Sequence, residues 1–297
     1  MADAAFRPHR SCLYLPGANS RAMDKARSLA ADALIFDLED AVAPEAKDAA
    51  RKAVCDALAA GGYGPRLRVV RINGLETPWG QEDLAAAVAA APDAILAPKV
   101  SQGGDIDRID DALSRAGAPD TMALWIMVET PRALLNLRDI AQAAERTRLK
   151  ALVMGTNDLA KEMRATPTPD RIAFQSALAQ TVIAARAYGL LAIDGVFNDI
   201  PNLDGLESEC RQGASMGFDG KTLIHPSHLE RTNRIFSPNP ADVAQAREII
   251  AAFEDPANAG QGVLKVNGRM TEILHLEEAR RLVQVTEAIA RLEEAAV

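Results

Sequence analysis

Residues 122–131 read MALWIMVETP and residues 150–162 read KALVMGTNDLAKE. Each contains a short apolar run, 123–128 and 151–154, and each run is followed by a carboxylate, Glu129 and Asp158. The first run has the length and composition of a buried strand, and Pro131 just beyond it suits the first turn of a helix. The second ends at Gly155, which puts Asp158 on the loop that follows. Two parallel strands that each deliver an acid at the C-terminal end supply oxygen ligands for a hard cation such as Mg²⁺, with water and substrate in the other positions. The same acids equally suit helix N-caps or first turns, which strand-to-helix connections carry routinely. Spacing alone leaves both readings open.

Outward from this stretch the chain alternates between the two periodicities. Apolar runs predict strands at 12–15, 33–37, 66–72, 94–98, 122–128, 151–154, 190–193 and 220–224. Between them, Ala-rich segments with apolar residues at spacings of three and four predict helices over 21–30, 44–60, 80–91, 106–116, 131–142, 169–188 and 202–216. Eight such strands are the count of an α/β protein of the (β/α)₈ TIM-barrel type. A doubly wound open sheet is the competing architecture. No GxGxxG or GxxxxGK[ST] follows any strand, which removes the usual nucleotide-binding signatures of that competitor.

After His225 the alternation stops. Helices are expected over 240–253 and 271–295, joined by the loop EDPANAGQGVLKVNG at 254–268. The expected organisation is a barrel over residues 1–235 and a C-terminal helical extension over 236–297 that contributes a lid to a neighbouring subunit. The segment RATPTPD at 164–170 is a second lid candidate.

With 297 residues, 48% hydrophobic and 25% charged, the composition is globular, and no apolar run approaches the roughly 20 residues of a membrane span. The N-terminal MADAAFRPHRS lacks a signal-peptide core, so a cytoplasmic location is the expectation. A net charge of −8, with no basic run, argues against a nucleic-acid partner. Cys12, Cys55 and Cys210 are odd in number and far apart, the pattern of reduced thiols. Four histidines without a close HxH or HxxxH pair give little support to a transition-metal site.

In a barrel of this type catalytic groups sit at the C-terminal ends of strands. Asp37, Glu39 and Asp40 follow the second strand in IFDLEDAV, Arg71 and Lys99 end the third and fourth, and Asp194 with Gly195 ends the seventh. The acids suit partners that hold metal-bound waters and orient Arg71 or Lys99, or they favour the helix that begins near Pro44. An arginine at the end of an apolar strand is either paired with those acids or faces a cavity, where it binds a carboxylate, a phosphate or a developing enolate oxygen. Lys25 follows a tight turn at Pro16 and Gly17 and a helix N-terminus, an arrangement suited to an anion.

RSCLYLPGANSRAMDKA, FDLEDAVAPEAKDAAR, VRINGLETPWG, APKV, ETPRAL, GTNDLA, IDGVFND and GFDGKTLIHPSH occur in that order. Over about residues 10–290 the chain resembles the citrate lyase β-subunit-like (CitE-like) proteins, a group that includes the malyl-CoA and citramalyl-CoA lyases of the HpcH/HpaI aldolase superfamily. The resemblance implies a TIM barrel, Mg²⁺, and a CoA or acyl-carrier thioester ligand. It also implies cleavage of a 3-hydroxyacyl thioester to an acyl thioester and an oxo acid such as glyoxylate or pyruvate.

Carried over by position, it makes Glu129 and Asp158 the Mg²⁺ carboxylates and places Arg71 beside the thioester carbonyl. Tyr14, Asn19 and Lys25 become CoA contacts, although Asn19 stands where malyl-CoA lyases carry an arginine. Glu39 and Asp40 match the family's acidic pair, and His225 with Pro226 belongs to a structural IHPS signature. Relatives end in a tail aspartate that reaches a neighbouring subunit's site as acid/base, which implies a homotrimer or homohexamer. Here the matching segment is Gly268, Arg269, Met270, Thr271, Glu272. The extra methylene of Glu272 matters, because misplacing a reacting group by about 1 Å costs roughly 100-fold. A C–C lyase is therefore the first expectation, a malyl-CoA-type thioesterase the second, and a carrier-dependent citrate lyase β subunit the third.

Overall fold

Short runs of β-branched and large apolar residues form the strands. In the computed structural model, which describes residues 7–295, they are β1 (Ser11–Pro16), β2 (Ala33–Asp37), β3 (Leu67–Arg71), β4 (Ala94–Ala97), β5 (Ala123–Val128), β6 (Leu149–Met154), β7 (Leu191–Asp194) and β8 (Gly220–Leu223). All neighbours pair in parallel, and β8 returns to β1 from Ser11↔Lys221 to Leu13↔Leu223. The sheet is thus a closed eight-stranded barrel, as expected, and closure rules out the open doubly wound sheet.

The connecting helices are α1 (Ser20–Ala26), α2 (Lys47–Ala60), α3 (Gly80–Ala89), α4 (Gly103–Arg115), α5 (Pro131–Leu135), α6 (Leu137–Gln142), α7 (Thr156–Met163), α8 (Gln175–Ala187), α9 (Leu203–Met216) and α10 (Leu229–Phe236). Four features differ from expectation. The helix predicted over 131–142 breaks at Asn136, which leaves helical backbone and donates its side-chain amide to the Ser101 carbonyl. The helix predicted from 169 begins at Gln175, after Arg171 in the left-handed region and a 3₁₀ turn. The predicted loop around Asp158 is the first turn of α7, and α10 had no counterpart in the sequence reading.

Strand parity divides the interior. Cys12, Ala33, Ile35, Leu67, Val69, Leu96, Trp125, Met127, Val153 and Ile193 form one buried cluster inside the barrel. The residues between them, such as Leu34, Phe36, Val70, Ile95, Ile126 and Leu152, pack outward with the helices. Both faces of each strand are therefore apolar, as befits a parallel sheet covered by helices.

Contacts divide the chain into two compact units, His9–Phe236 and a second that runs from Ser237. The second contains α11 (Pro240–Glu254), a hairpin of β9 (Val263–Val266) and β10 (Arg269–Glu272), and α12 (Ile273–Ala295). The last six residues of the expected loop 254–268 belong to that hairpin, and the helix expected from 271 begins at Ile273 because 271–272 end β10. The hairpin turn is Asn267–Gly268, both at positive φ, the geometry of the tight turn that Asn-Gly favours. Among the described residues, no helix is long and apolar enough to cross a membrane.

Candidate active site

Because side chains alternate along a strand, the parity that buries Cys12, Ile35, Val69 and Met127 also turns Tyr14, Asp37, Arg71 and Glu129 into the C-terminal mouth of the barrel. A cavity of about 390 Å³ lies there, lined by Tyr14, Asp37, Arg71, Glu129, Thr156 and Asp158 among others. Several of the candidate side chains gather at this mouth.

Arg71 is buried and held on three sides. Its Nε and Nη2 donate to the two oxygens of Asp37 at 2.7 and 2.6 Å. Its Nη1 lies 2.7 Å from Glu39 Oε2 in charge contact without hydrogen-bond alignment, and 3.8 Å from Asp40 Oδ2. The guanidinium sits 4.9 Å over the Tyr14 ring, whose hydroxyl points to Met127 Sδ at 3.6 Å. A guanidinium has five N–H groups and Asp37 takes two, so three, one on Nη2 and two on Nη1, make no hydrogen bond among the described residues. The ion-pair and cavity-facing readings of Arg71 thus both hold.

Burial pushes the Glu39 carboxyl up to about 7, against the opposing pull of Arg71. Asp40 is exposed. Lys47 fixes the loop that carries Glu39. Its ammonium donates to the Leu38 and Glu39 carbonyls at 2.8 and 2.7 Å and to Asn73 Oδ1 at 2.8 Å.

Glu129 is fully buried, and Gly155 makes room for it. A Cβ on Gly155 would stand 2.5 Å from Glu129 Cβ and 2.8 Å from Glu129 Oε2. Glu129 Oε1 accepts the Lys99 main-chain N–H at 2.7 Å, whereas Oε2 has no hydrogen-bond partner. The Lys99 ammonium lies 3.4 Å from Glu129 Oε1 and 2.7 Å from Asp158 Oδ1. Burial raises the Glu129 carboxyl above its ordinary range, with Lys99 opposing.

A buried, unpartnered carboxylate oxygen beside a second carboxylate fits a hard divalent cation. Among the described residues, no group of three or more His, Cys, Asp or Glu side chains converges as ligands. The donor set is thus two carboxylates, which suits an ion that keeps water and substrate in its remaining positions.

The other expected site residues are spread more widely. Asn19 spends its side chain capping α1, accepting from the Ala22 N–H at 3.1 Å, and Lys25 is exposed in the last turn of that helix. Glu272 ends β10 in the second unit with an exposed side chain, not in the first turn of a helix. His225 caps the turn Pro226–His228 by accepting from the Ser227 N–H, in keeping with a structural role.

Asp194 is a correction. Its parity is opposite to that of Ile193, so it points out of the barrel into a buried cluster with Arg171 and Lys221, at 2.7 and 3.2 Å. Asp37 and Lys99 were strand-end candidates to which the sequence reading gave no settled role, and Lys47 was missed. The first two stood at strand ends and were open to assignment by parity, but Lys47 reads only as an ordinary lysine at a helix start.

The family described as HpcH/HpaI aldolase/citrate lyase matches residues 10–226. A (3S)-malyl-CoA thioesterase of Cereibacter sphaeroides is 50% identical over 283 residues, covering 95% of this chain and 96% of the relative. The citrate lyase subunit beta of Escherichia coli is 32% identical over 286 residues, with 95% and 94% covered. Among solved structures, the CitE protein of Mycobacterium tuberculosis in complex with magnesium, acetoacetate and coenzyme A superposes with a TM-score of 0.74. It is 28% identical, with 96% of this chain and 99% of that one covered.

Proposed function

Because the chain belongs to the HpcH/HpaI aldolase/citrate lyase family, we propose that it hydrolyses a malyl-CoA-type 3-hydroxyacyl thioester to free CoA and a hydroxy acid. The observation that carries this reading is the gradient in similarity, 50% identity to a malyl-CoA thioesterase against 32% to a citrate lyase subunit. The geometry of the mouth is compatible with it.

Arg71, backed by Asp37, directs its remaining N–H groups to the thioester carbonyl oxygen, where negative charge develops during attack. Glu39 takes the proton of the attacking water, a task for which a carboxyl near 7 is well matched at neutral pH. The water oxygen bonds to the carbonyl carbon, the C–S bond then breaks, and the CoA thiolate leaves with the proton that Glu39 took from the water. Glu129 and Asp158 would hold Mg²⁺, which would supply Lewis-acid polarisation when bound. Tyr14, Asn19 and Lys25 are proposed contacts for CoA, Tyr14 through the ring that supports Arg71. Asp40 is proposed as an electrostatic partner of Arg71 at the rim.

A second reading, C–C cleavage to an acyl-CoA and an oxo acid, is favoured by one feature, the exposed carboxylate of Glu272 in the tail segment. In this reading Glu272 is the acid/base supplied by a neighbouring copy, in a homotrimer or homohexamer, and Arg71 stabilises the thioester enolate. Mass spectrometry of products from malyl-CoA, citramalyl-CoA and methylmalyl-CoA separates the two. Hydrolysis yields free CoA and the intact hydroxy acid; glyoxylate or pyruvate with a new acyl-CoA would replace it with the lyase. No product from free CoA esters would point to the carrier-dependent role.

A further inference from the structure

We propose that Lys99 is a built-in counter-cation for the divalent-metal site, its ammonium standing between Glu129 and Asp158 until a metal ion displaces it. The inference rests on the reading of those two acids as the metal carboxylates and adds a residue that sets how tightly they bind.

Lys99 engages the pair twice. Its main-chain N–H donates to Glu129 Oε1 at 2.7 Å, and its Nζ reaches Asp158 Oδ1 at 2.7 Å and Glu129 Oε1 at 3.4 Å. The residue has a φ of 55°, in the left-handed region that side chains other than glycine rarely adopt. Backbone strain of this kind gathers where a site over-determines it, and here that conformation goes with a single residue presenting an amide and an ammonium to the same two carboxylates.

A fully buried carboxylate next to a second acid is costly without a compensating positive charge. Lys99 supplies that charge. A divalent cation drawn to the unpartnered Glu129 Oε2 and to Asp158 meets the repulsion of an ammonium 2.7 Å from Asp158 Oδ1, so metal binding exchanges one cation for the other. The Lys99 side chain is 34% exposed, which gives the released ammonium a route to water. The main-chain N–H stays on Glu129 throughout and keeps that carboxylate aimed. Lys99 therefore lowers the apparent metal affinity while protecting the metal-free fold.

The test is titration of the full chain with Mg²⁺ by calorimetry, and with Mn²⁺ by electron paramagnetic resonance, in the native protein, Lys99→Met and Glu129→Gln. Removing the competing ammonium is expected to tighten binding by about tenfold, the scale of a partly exposed ion pair. In chelator, Lys99→Met is expected to melt below the native protein, with the gap closing as metal saturates. Acetylation of Lys99 by acetic anhydride, read by mass spectrometry, is expected to rise when Mg²⁺ is added. Unchanged or weaker binding in Lys99→Met, or acetylation indifferent to metal, would overturn the exchange. Should Lys99→Met not fold, Lys99→Gln gives the same comparison. Binding that survives in Glu129→Gln is a different failure, since it removes the carboxylate assignment itself.

Discussion

Asp37 and Arg71 are register partners across β2 and β3, and their side chains meet in a two-pronged ion pair inside the barrel mouth. Neighbouring parallel strands in this register place both groups on the lumen side at the same height. A buried charge is tolerable only when paired, so the pair both neutralises Arg71 and fixes the plane of its guanidinium. Asp37 is thereby a positioning residue for Arg71.

Truncating the partner, Asp37→Ala, leaves a buried guanidinium with a weaker set of contacts. A loss of about 3–5 kcal/mol in stability is expected, measured by denaturant unfolding. Arg71→Lys keeps the charge but not the fork. It is expected to fold and to lose about 100-fold in kcat with a smaller change in KM, because the interaction lost is made mainly as charge develops on the carbonyl oxygen. An Arg71→Lys protein with native kcat would remove Arg71 from the reaction.

Glu39 carries a pH prediction whose sign follows from its burial. Its folded carboxyl is raised from an ordinary 4.5 to about 7, so the folded state holds the proton more tightly than the unfolded chain. The associated stability is complete below about 4.5 and is lost as pH rises through about 7, a swing of about 3 kcal/mol. Glu39→Gln is expected to flatten that part of the stability–pH curve. In its proposed role as base Glu39 acts only when ionised, so kcat/KM is expected to rise with pH through about 7 in the native protein. In Glu39→Gln it is expected to be about 100- to 10,000-fold lower, without that limb.

The barrel was legible because every strand is a short apolar run punctuated by turn residues, and because Arg71 and Glu129 interrupt that apolar character at strand ends. What the sequence could not label was the lumen side. Both faces of these strands are apolar, so Asp194 at the end of β7 looked equivalent to Asp37 at the end of β2, although one faces a helix-side ion cluster and the other the cavity. Lys47 was hidden for another reason: its role depends on carbonyls and an amide brought together by folding. The β9–β10 turn was readable in principle from Asn267–Gly268, but the Gly, Asn and Pro residues before it drew the segment toward loop. The place of Asp158 in the first turn of α7 shows that a helix-start acid and a candidate ligand need not be different residues.

Metal addition gives a direct measure of the carboxylate pair. Excess Mg²⁺ at about 100 times its dissociation constant is expected to stabilise the native protein by about 2.7 kcal/mol. A chelator reverses this. Glu129→Gln and Asp158→Asn are each expected to abolish the shift and metal-dependent turnover together, and an undiminished shift in both variants would remove the assignment.

Gly155 offers a steric test that touches neither charge. Its backbone angles, φ −104° and ψ 75°, lie outside the region reserved for glycine, so conformation is not what excludes a side chain there. Space is. An added Cβ would meet Glu129 Cβ at 2.5 Å, Glu129 Oε2 at 2.8 Å and Met127 Cε at 3.0 Å. Met127 can swing its flexible end away, but Glu129 is fully buried and held at Oε1 by the Lys99 N–H. Gly155→Ala is therefore expected to cost about 1–3 kcal/mol in stability through overpacking and to weaken Mg²⁺ binding by displacing Glu129. The control is Gly104→Ala in the first turn of α4, where an added Cβ meets nothing within 4 Å. That change should be neutral or stabilising by up to about 1 kcal/mol, with native metal binding. If Gly155→Ala instead binds Mg²⁺ as the native protein does while losing the expected stability, Glu129 has moved without consequence for the metal. The ligand role would then have to pass to other oxygens at the barrel mouth.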